Sequence, residues 1–169
     1  TFHVRGSGSA REWNDENHKA FLRSFARLAD KGRDIGIPIM LENMLPGRFT
    51  AREEELGALV EEFSSNDVGV CIDTGHAQLN GNLAGFVEQF ASRAGVLHLQ
   101  DNSGGNGDEH LIPGKGSILW SDFVTGIKAG GFRGEKVVEV RSIGTLSETL
   151  AAIQQSIVET DLHRMNNGL

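Results

Sequence analysis

The sequence predicts an α/β domain built on a parallel sheet. Three observations carry that reading. Short apolar runs alternate with longer amphipathic ones along the chain, the order expected of repeated βα units. Most of the short runs are nearly continuous in apolar residues, as parallel strands covered on both faces are. The length of 169 residues fits one domain, and 38% hydrophobic against 23% charged residues supplies a packed core.

The elements follow in order. "TFHV" (1–4) is the first strand candidate. A helix is expected from about Asn14 to Asp34, with Phe21, Phe25, Leu28 and Ala29 on one face. "IPIML" (37–41) is the second strand candidate. The next helix opens on Thr50 and Glu53, read as a capping box, and carries Leu56, Leu59, Val60 and Phe63. "VGVCI" (68–72) is the third strand, followed after Asn82 by a short helix with Leu83, Phe86, Val87 and Phe90. "VLHLQ" (96–100) leads to a helix after Ser121 with Phe123, Val124 and Ile127. "KVVEV" (136–140) is the last strand. The final helix opens on a second capping box, Thr145 and Glu148, and runs to about Asp161; the tail "HRMNNGL" reads as frayed. No linker, low-complexity stretch or sequence repeat interrupts this series, and "RGSGSA" (5–10) lacks the spacing of a dinucleotide-binding loop.

Composition narrows the function. A net charge of -7 and a pI near 5.3 argue against a large nucleic-acid footprint. The single cysteine, Cys71, lies in an apolar run and reads as a buried small hydrophobe, so no internal disulfide framework exists and a reducing, cytoplasmic setting fits. No apolar run approaches the roughly 20 residues of a membrane helix. No signal-peptide pattern is visible in a chain that starts at Thr1 without a methionine.

The strand ends carry the chemistry. "TFHV" holds His3. "IPIMLEN" ends on Glu42, and "VGVCIDTGH" ends on Asp73 with His76 in the turn. "VLHLQDN" carries His98 and Asp101, and "KVVEVRS" carries Glu139 and Arg141. Between the last two strands, "GDEHLIPGKG" adds Asp108 and His110. In a parallel sheet the C-terminal strand ends meet on one face, where active sites sit. Taken singly, an Asp after a strand more often caps a helix, and a His in a strand is more often a hydrogen-bonded core residue. A Glu inside "VVEV" is harder to explain in such ordinary terms. Together, converging carboxylates and imidazoles call for a positive partner, since buried unpaired charge costs several kcal/mol. One divalent metal ion meets that need, and oxygen and nitrogen donors suit Mn, Mg, Co or Zn.

"LEN", "GVCIDTGHA", "LHLQDN", "DEHLIPGKGSILW" and "VVEVRS" resemble the sugar phosphate isomerase/epimerase superfamily, the xylose isomerase-like TIM barrels that also include endonuclease IV. The resemblance covers about Phe2 to Ser142. It implies a partial (β/α)8 barrel of about five parallel βα units, the C-terminal five, open as an isolated chain and N-terminally truncated. Two unpaired sheet edges, at "TFHV" and "KVVEV", are then expected. The resemblance also implies a metal held by Glu42, Asp73, His98 and Glu139. Glu42 and Glu139 act as the acid/base pair, and His76 faces the substrate. Asp108, His110 and Arg141 join His76 as candidate substrate-binding residues, with Asp108 and His110 on a glycine-rich loop that folds over the site.

The implied function is a divalent-metal-dependent isomerase or epimerase in carbohydrate metabolism. Its substrate is a small sugar, sugar phosphate, polyol or keto compound, and the proton moves through a metal-stabilised enediolate. Two alternatives stand beside it. One is an endonuclease IV-like zinc phosphodiesterase on abasic DNA, which would recruit His3, His76, Asp108 and His110 for further zincs. The other is an inactive metal-binding remnant. Related lyase or dehydratase chemistry also fits the scaffold. Ketose 3-epimerases carry a further Glu shortly after the first metal Glu; this chain has Arg48 there, so their sugar specificity does not carry over, and Arg48 reads as a surface residue. The expected partner is a small sugar-like molecule, with no nucleic acid or membrane, and with a homo-oligomer or the missing barrel units covering the open sheet.

Overall fold

A computed structural model describes residues 15–105 and 107–165. The strand candidate "TFHV" with His3, and the loop "RGSGSA", lie outside the described residues. Among the described residues, four strands form one parallel sheet in chain order: β1 (Ile39–Glu42), β2 (Val68–Asp73), β3 (Ala94–Leu99) and β4 (Glu135–Val138). Helix α1 (Asp15–Asp34) precedes β1. Helix α2 (Glu53–Glu61) joins β1 to β2, α3 (Thr74–Asn80) and α4 (Leu83–Phe90) join β2 to β3, and α5 (Trp120–Ala129) joins β3 to β4. Helix α6 (Leu146–Glu159) follows β4. The sheet is open, an arc of the βα units of a barrel, and β4 is one of its edges.

Strand alternation sorts the side chains into two faces. Leu41, Val68, Val70, Ile72, Leu97 and Leu99 pack against Phe25, Leu56, Leu59, Phe86, Phe90, Phe123 and Ile127 of the helices. This is the main core, and removing its apolar surface from water stabilises the fold by about 25 cal/mol per Å². The other face carries Met40, Glu42, Cys71, Asp73 and His98. Its floor is shaped by glycines: a Cβ at Gly69 or Gly95 would lie 2.7 or 2.6 Å from the Met40 sulfur. Met40 therefore lies across β2 and β3 beneath the charged residues. Cys71 is buried, as its apolar surroundings imply.

Four details differ from the sequence reading. The turn expected to hold His76 is the start of helix α3. Helix α2 begins at Glu53 with Arg52 as N-cap and no side-chain cap, so Thr50 and Glu53 form no capping box. Thr50 takes a left-handed backbone, φ 70°, and its hydroxyl donates to the Glu42 carbonyl at 3.0 Å. It thus closes the end of β1 rather than opening α2. The described part of the segment after α6 is not frayed, for Leu162–Met165 forms a 3₁₀ turn whose Leu162 and Met165 are buried in the core; residues 166–169 lie outside the described residues. Strand β4 is not covered on both faces; Val137 is 46% exposed at this edge. The capping box at Thr145 and Glu148 does form, with both reciprocal bonds present.

Candidate metal centre and active site

The parallel register brings successive strand ends to one level. Glu42 ends β1 opposite Cys71, Asp73 ends β2 opposite His98, and His98 in β3 lies opposite Val137 in β4. Glu139 follows β4 and stays in line because its N–H donates to the Leu99 carbonyl at 3.1 Å. The His98 imidazole is the hub. Its Nδ1 lies 2.9 Å from Glu139 Oε2, 3.4 Å from Glu42 Oε2 and 3.9 Å from Asp73 Oδ2. Glu42 and Asp73 are fully enclosed, His98 is nearly so, and the Glu139 side chain is 46% exposed.

Among the described residues, three overlapping sets of ligand-type atoms approach within 4.8 Å of one another: Asp73 with His98 and Glu139, Glu42 with Asp73 and His76, and Glu42 with Cys71 and His98. The last adds a thiol that the sequence reading left out of the donor set. The remaining donors are carboxylate oxygens and imidazole nitrogens, which fit a divalent ion of borderline or hard character.

Electrostatics point the same way. Burial pushes the Asp73 carboxyl upward, with the Glu42 charge adding to it, although His76 and the Gln100 amide favour the anion. Burial also works against charged His76 and His98. The carboxylates outweigh it and raise both imidazoles above their ordinary range: Asp73, Glu42 and Asp108 for His76, with the Asn43 carbonyl, and Glu42, Glu139 and Asp73 for His98. Protons on the imidazoles offset the clustered negative charge in the metal-free chain.

His76 lies in the first turn of α3. Its backbone N–H donates to Asp73 Oδ1 at 2.8 Å, so Asp73 is both strand end and helix cap. Its ring Nδ1 donates to the Asn43 carbonyl at 2.9 Å. That bond fixes the ring and turns Nε2 toward Asp108 Oδ2, 3.5 Å away. His110 Nε2 lies 3.0 Å from the same oxygen, and its Nδ1 lies 3.0 Å from the Glu139 carbonyl. Arg141 is exposed, and its guanidinium donates to the Asp108 carbonyl at 2.9 Å. Asp108, His110 and Arg141 thus form a second tier above the four strand-end residues. Arg48 is exposed on the loop after β1.

Asp101 does not join the site, although it stands near a strand end like the others. Its carboxylate accepts from Gly114 N at 2.8 Å, Ile118 N at 3.2 Å and Trp120 Nε1 at 2.8 Å. These bonds account for "PGKGSILW". Gly114 takes φ 83°, and a Cβ at Gly116 would lie 2.3 Å from Asp101 Oδ1. The motif is a latch for the loop that carries Asp108 and His110. Sequence reasoning also passed over Asn43 and Gln100. Asn43 exchanges hydrogen bonds with the Asp73 backbone, at 2.7 and 3.0 Å. Both amides sat inside the quoted "LEN" and "LHLQDN", which were the only signal for them.

The xylose isomerase-like TIM barrel family matches residues 2–158. An uncharacterized protein of Methanocaldococcus jannaschii, MJ1311, is 31% identical over 86% of this chain and 53% of its own length. D-psicose 3-epimerase of Enterocloster bolteae is 25% identical over 81% of this chain and 48% of its own length. Among solved structures, a D-tagatose 3-epimerase-like protein superposes with a TM-score of 0.78 at 27% identity, covering 98% of this chain and 62% of that one. The chain spans about half the length of the curated relatives it matches. Among the described residues, no helix is long and apolar enough to cross a membrane.

Proposed function

This chain belongs to the xylose isomerase-like TIM barrel family, and from that membership and its strand-end cluster we propose a divalent-metal-dependent isomerase or epimerase of a small sugar or related keto compound. The carrying observation is the convergence of Glu42, Asp73, His98 and Glu139 around the His98 ring. These four would hold the ion, chosen from Mn, Mg, Co or Zn. The kinship to D-psicose 3-epimerase and to a D-tagatose 3-epimerase-like protein supports the sugar class.

When bound, the ion supplies positive charge to a substrate carbonyl and its neighbouring hydroxyl, which acidifies the C–H between them. Glu42 ends the first strand of the described sheet and Glu139 directly follows the last, with Asp73 and His98 between. Carboxylates so separated suit opposite faces of one carbon, one removing a proton and the other returning it. His76 Nε2 and the tier of Asp108, His110 and Arg141 would grip the substrate's other hydroxyls.

A phosphodiesterase with several zincs is the second reading. The observation for it is Asp108 Oδ2, which faces the Nε2 atoms of both His76 and His110. Against it, among the described residues no three-ligand cluster includes Asp108 or His110.

The test is to incubate the metal-loaded chain with ketoses and sugar phosphates in D₂O. The proposal expects deuterium at the carbon beside the carbonyl, together with the epimer or isomer. Cleavage of abasic DNA with no deuterium in any sugar would replace it with the second reading.

A further inference from the structure

Gln100 stands directly after β3, fully buried, on the charged face of the sheet. Its side-chain nitrogen lies 3.2 Å from Asp73 Oδ1, 3.2 Å from Asp73 Oδ2 and 3.2 Å from Asp108 Oδ1. An amide nitrogen has two hydrogens, so it can serve both carboxylates at once. The other end of the amide is fixed too, since Oε1 accepts from Asn102 Nδ2 at 3.4 Å. Its backbone is held by Thr74, whose hydroxyl accepts from Gln100 N at 3.0 Å and donates to Gln100 O at 2.7 Å.

We infer that Gln100 is a positioning residue: its amide orients Asp73 toward the ion and ties the Asp108 loop to it, and position 75 is glycine to admit that amide. This rests on the metal-centre reading above. The choice of a neutral donor is informative. A lysine or arginine here would compete with the ion for the Asp73 charge, whereas an amide orients the carboxylate and leaves its charge available. Gly75 supplies the independent observation. It lies within α3 and needs no unusual backbone, so conformational freedom does not explain it. Space does: a Cβ there would lie 2.4 Å from Gln100 Cδ and Oε1 and 2.6 Å from Asn102 Nδ2. The glycine of "DTGH" and the glutamine of "LHLQDN" are thus two halves of one device.

The experiment titrates Mn²⁺ into metal-stripped chain by calorimetry, for the wild type, Gln100→Ala, Gly75→Ala and the double variant. Hydrogen exchange over residues 107–116 is measured in parallel. Gln100→Ala is expected to weaken Mn²⁺ binding by about 10–100-fold, the range for a partner that orients a ligand. It should also deprotect the loop. Gly75→Ala should do the same. Because Gly75 acts through Gln100, the double variant should bind no more than about threefold worse than Gln100→Ala. Metal-free thermal unfolding checks each fold, and Gln100→Met, equal in length but without donors, serves if the alanine variant does not fold. Wild-type Mn²⁺ affinity in a donorless variant, or single effects that multiply in the double, would overturn the inference while leaving the metal centre intact. A wild type that takes up no Mn²⁺ overturns the metal reading itself.

Discussion

Nδ1 of His98, on β3, stands 2.9 Å from Oε2 of Glu139, the residue just past β4. Glu139 lies at the exposed edge of the sheet, yet its head turns inward to the His98 imidazole. Replacing it with glutamine keeps the shape and removes the charge. Glu139→Gln is expected to lower isomerising turnover by at least about 100-fold, the usual weight of an acid/base group. Steady-state kinetics with metal held saturating would check this. A near-normal rate would remove Glu139 from the proton path.

His76 gives the opposite pattern. Its Nδ1 is committed to the Asn43 carbonyl, which leaves Nε2 for the substrate side. His76→Ala should damage turnover far more than affinity for the first metal ion. Calorimetry and kinetics on the same preparation separate the two, and equal loss of both would place His76 among the ligands.

Asp101 is predicted to matter for stability. Asp101→Ala leaves the Gly114 and Ile118 N–H groups and the Trp120 indole without their acceptor. The Ile118 N–H and the Trp120 indole are buried, and each buried donor so left costs about 1–3 kcal/mol. Thermal unfolding should show a large drop for this variant, with Mn²⁺ affinity kept in whatever fraction stays folded. A variant as stable as the wild type that binds no metal would make Asp101 a ligand after all.

The raised imidazoles set a pH dependence. A histidine whose folded value exceeds its unfolded one contributes stability below the unfolded value and loses it as pH rises through the folded one. His76 and His98 are both of this kind. The raised Asp73 acts in the same sense. The metal-free chain should therefore lose melting temperature as pH rises above about 6.5. Divalent metal competes with those protons and should stabilise increasingly over the same span. Melting curves with chelator and with Mn²⁺ would test it; equal slopes would contradict it.

The sheet was legible because buried parallel strands leave apolar runs that sequence periodicity detects. Strand-end chemistry was legible for the same reason: once "VGVCI" is a strand, Asp73 must stand at its end. Helix α3 was not legible. It is seven residues long, opens on a side chain already spent as a strand end, and shows no amphipathic period. Thr50 and Glu53 had the spacing of a capping box, but only the backbone reveals that Thr50 serves the Glu42 carbonyl instead. Asp101 and Asp73 look alike in sequence. They are distinguished by partners, and those of Asp101 that latch the loop lie 13 to 19 residues downstream. Gln100 and Asn43, being neutral, carried no flag of charge.

The most direct test of the single-metal account is elemental analysis of this chain after reloading and mild chelation, read as ions retained per chain. The account predicts about one, lost when Glu42, Asp73, His98 or Glu139 is replaced. Three retained ions, with two of them lost on replacing Asp108 or His110, would contradict it.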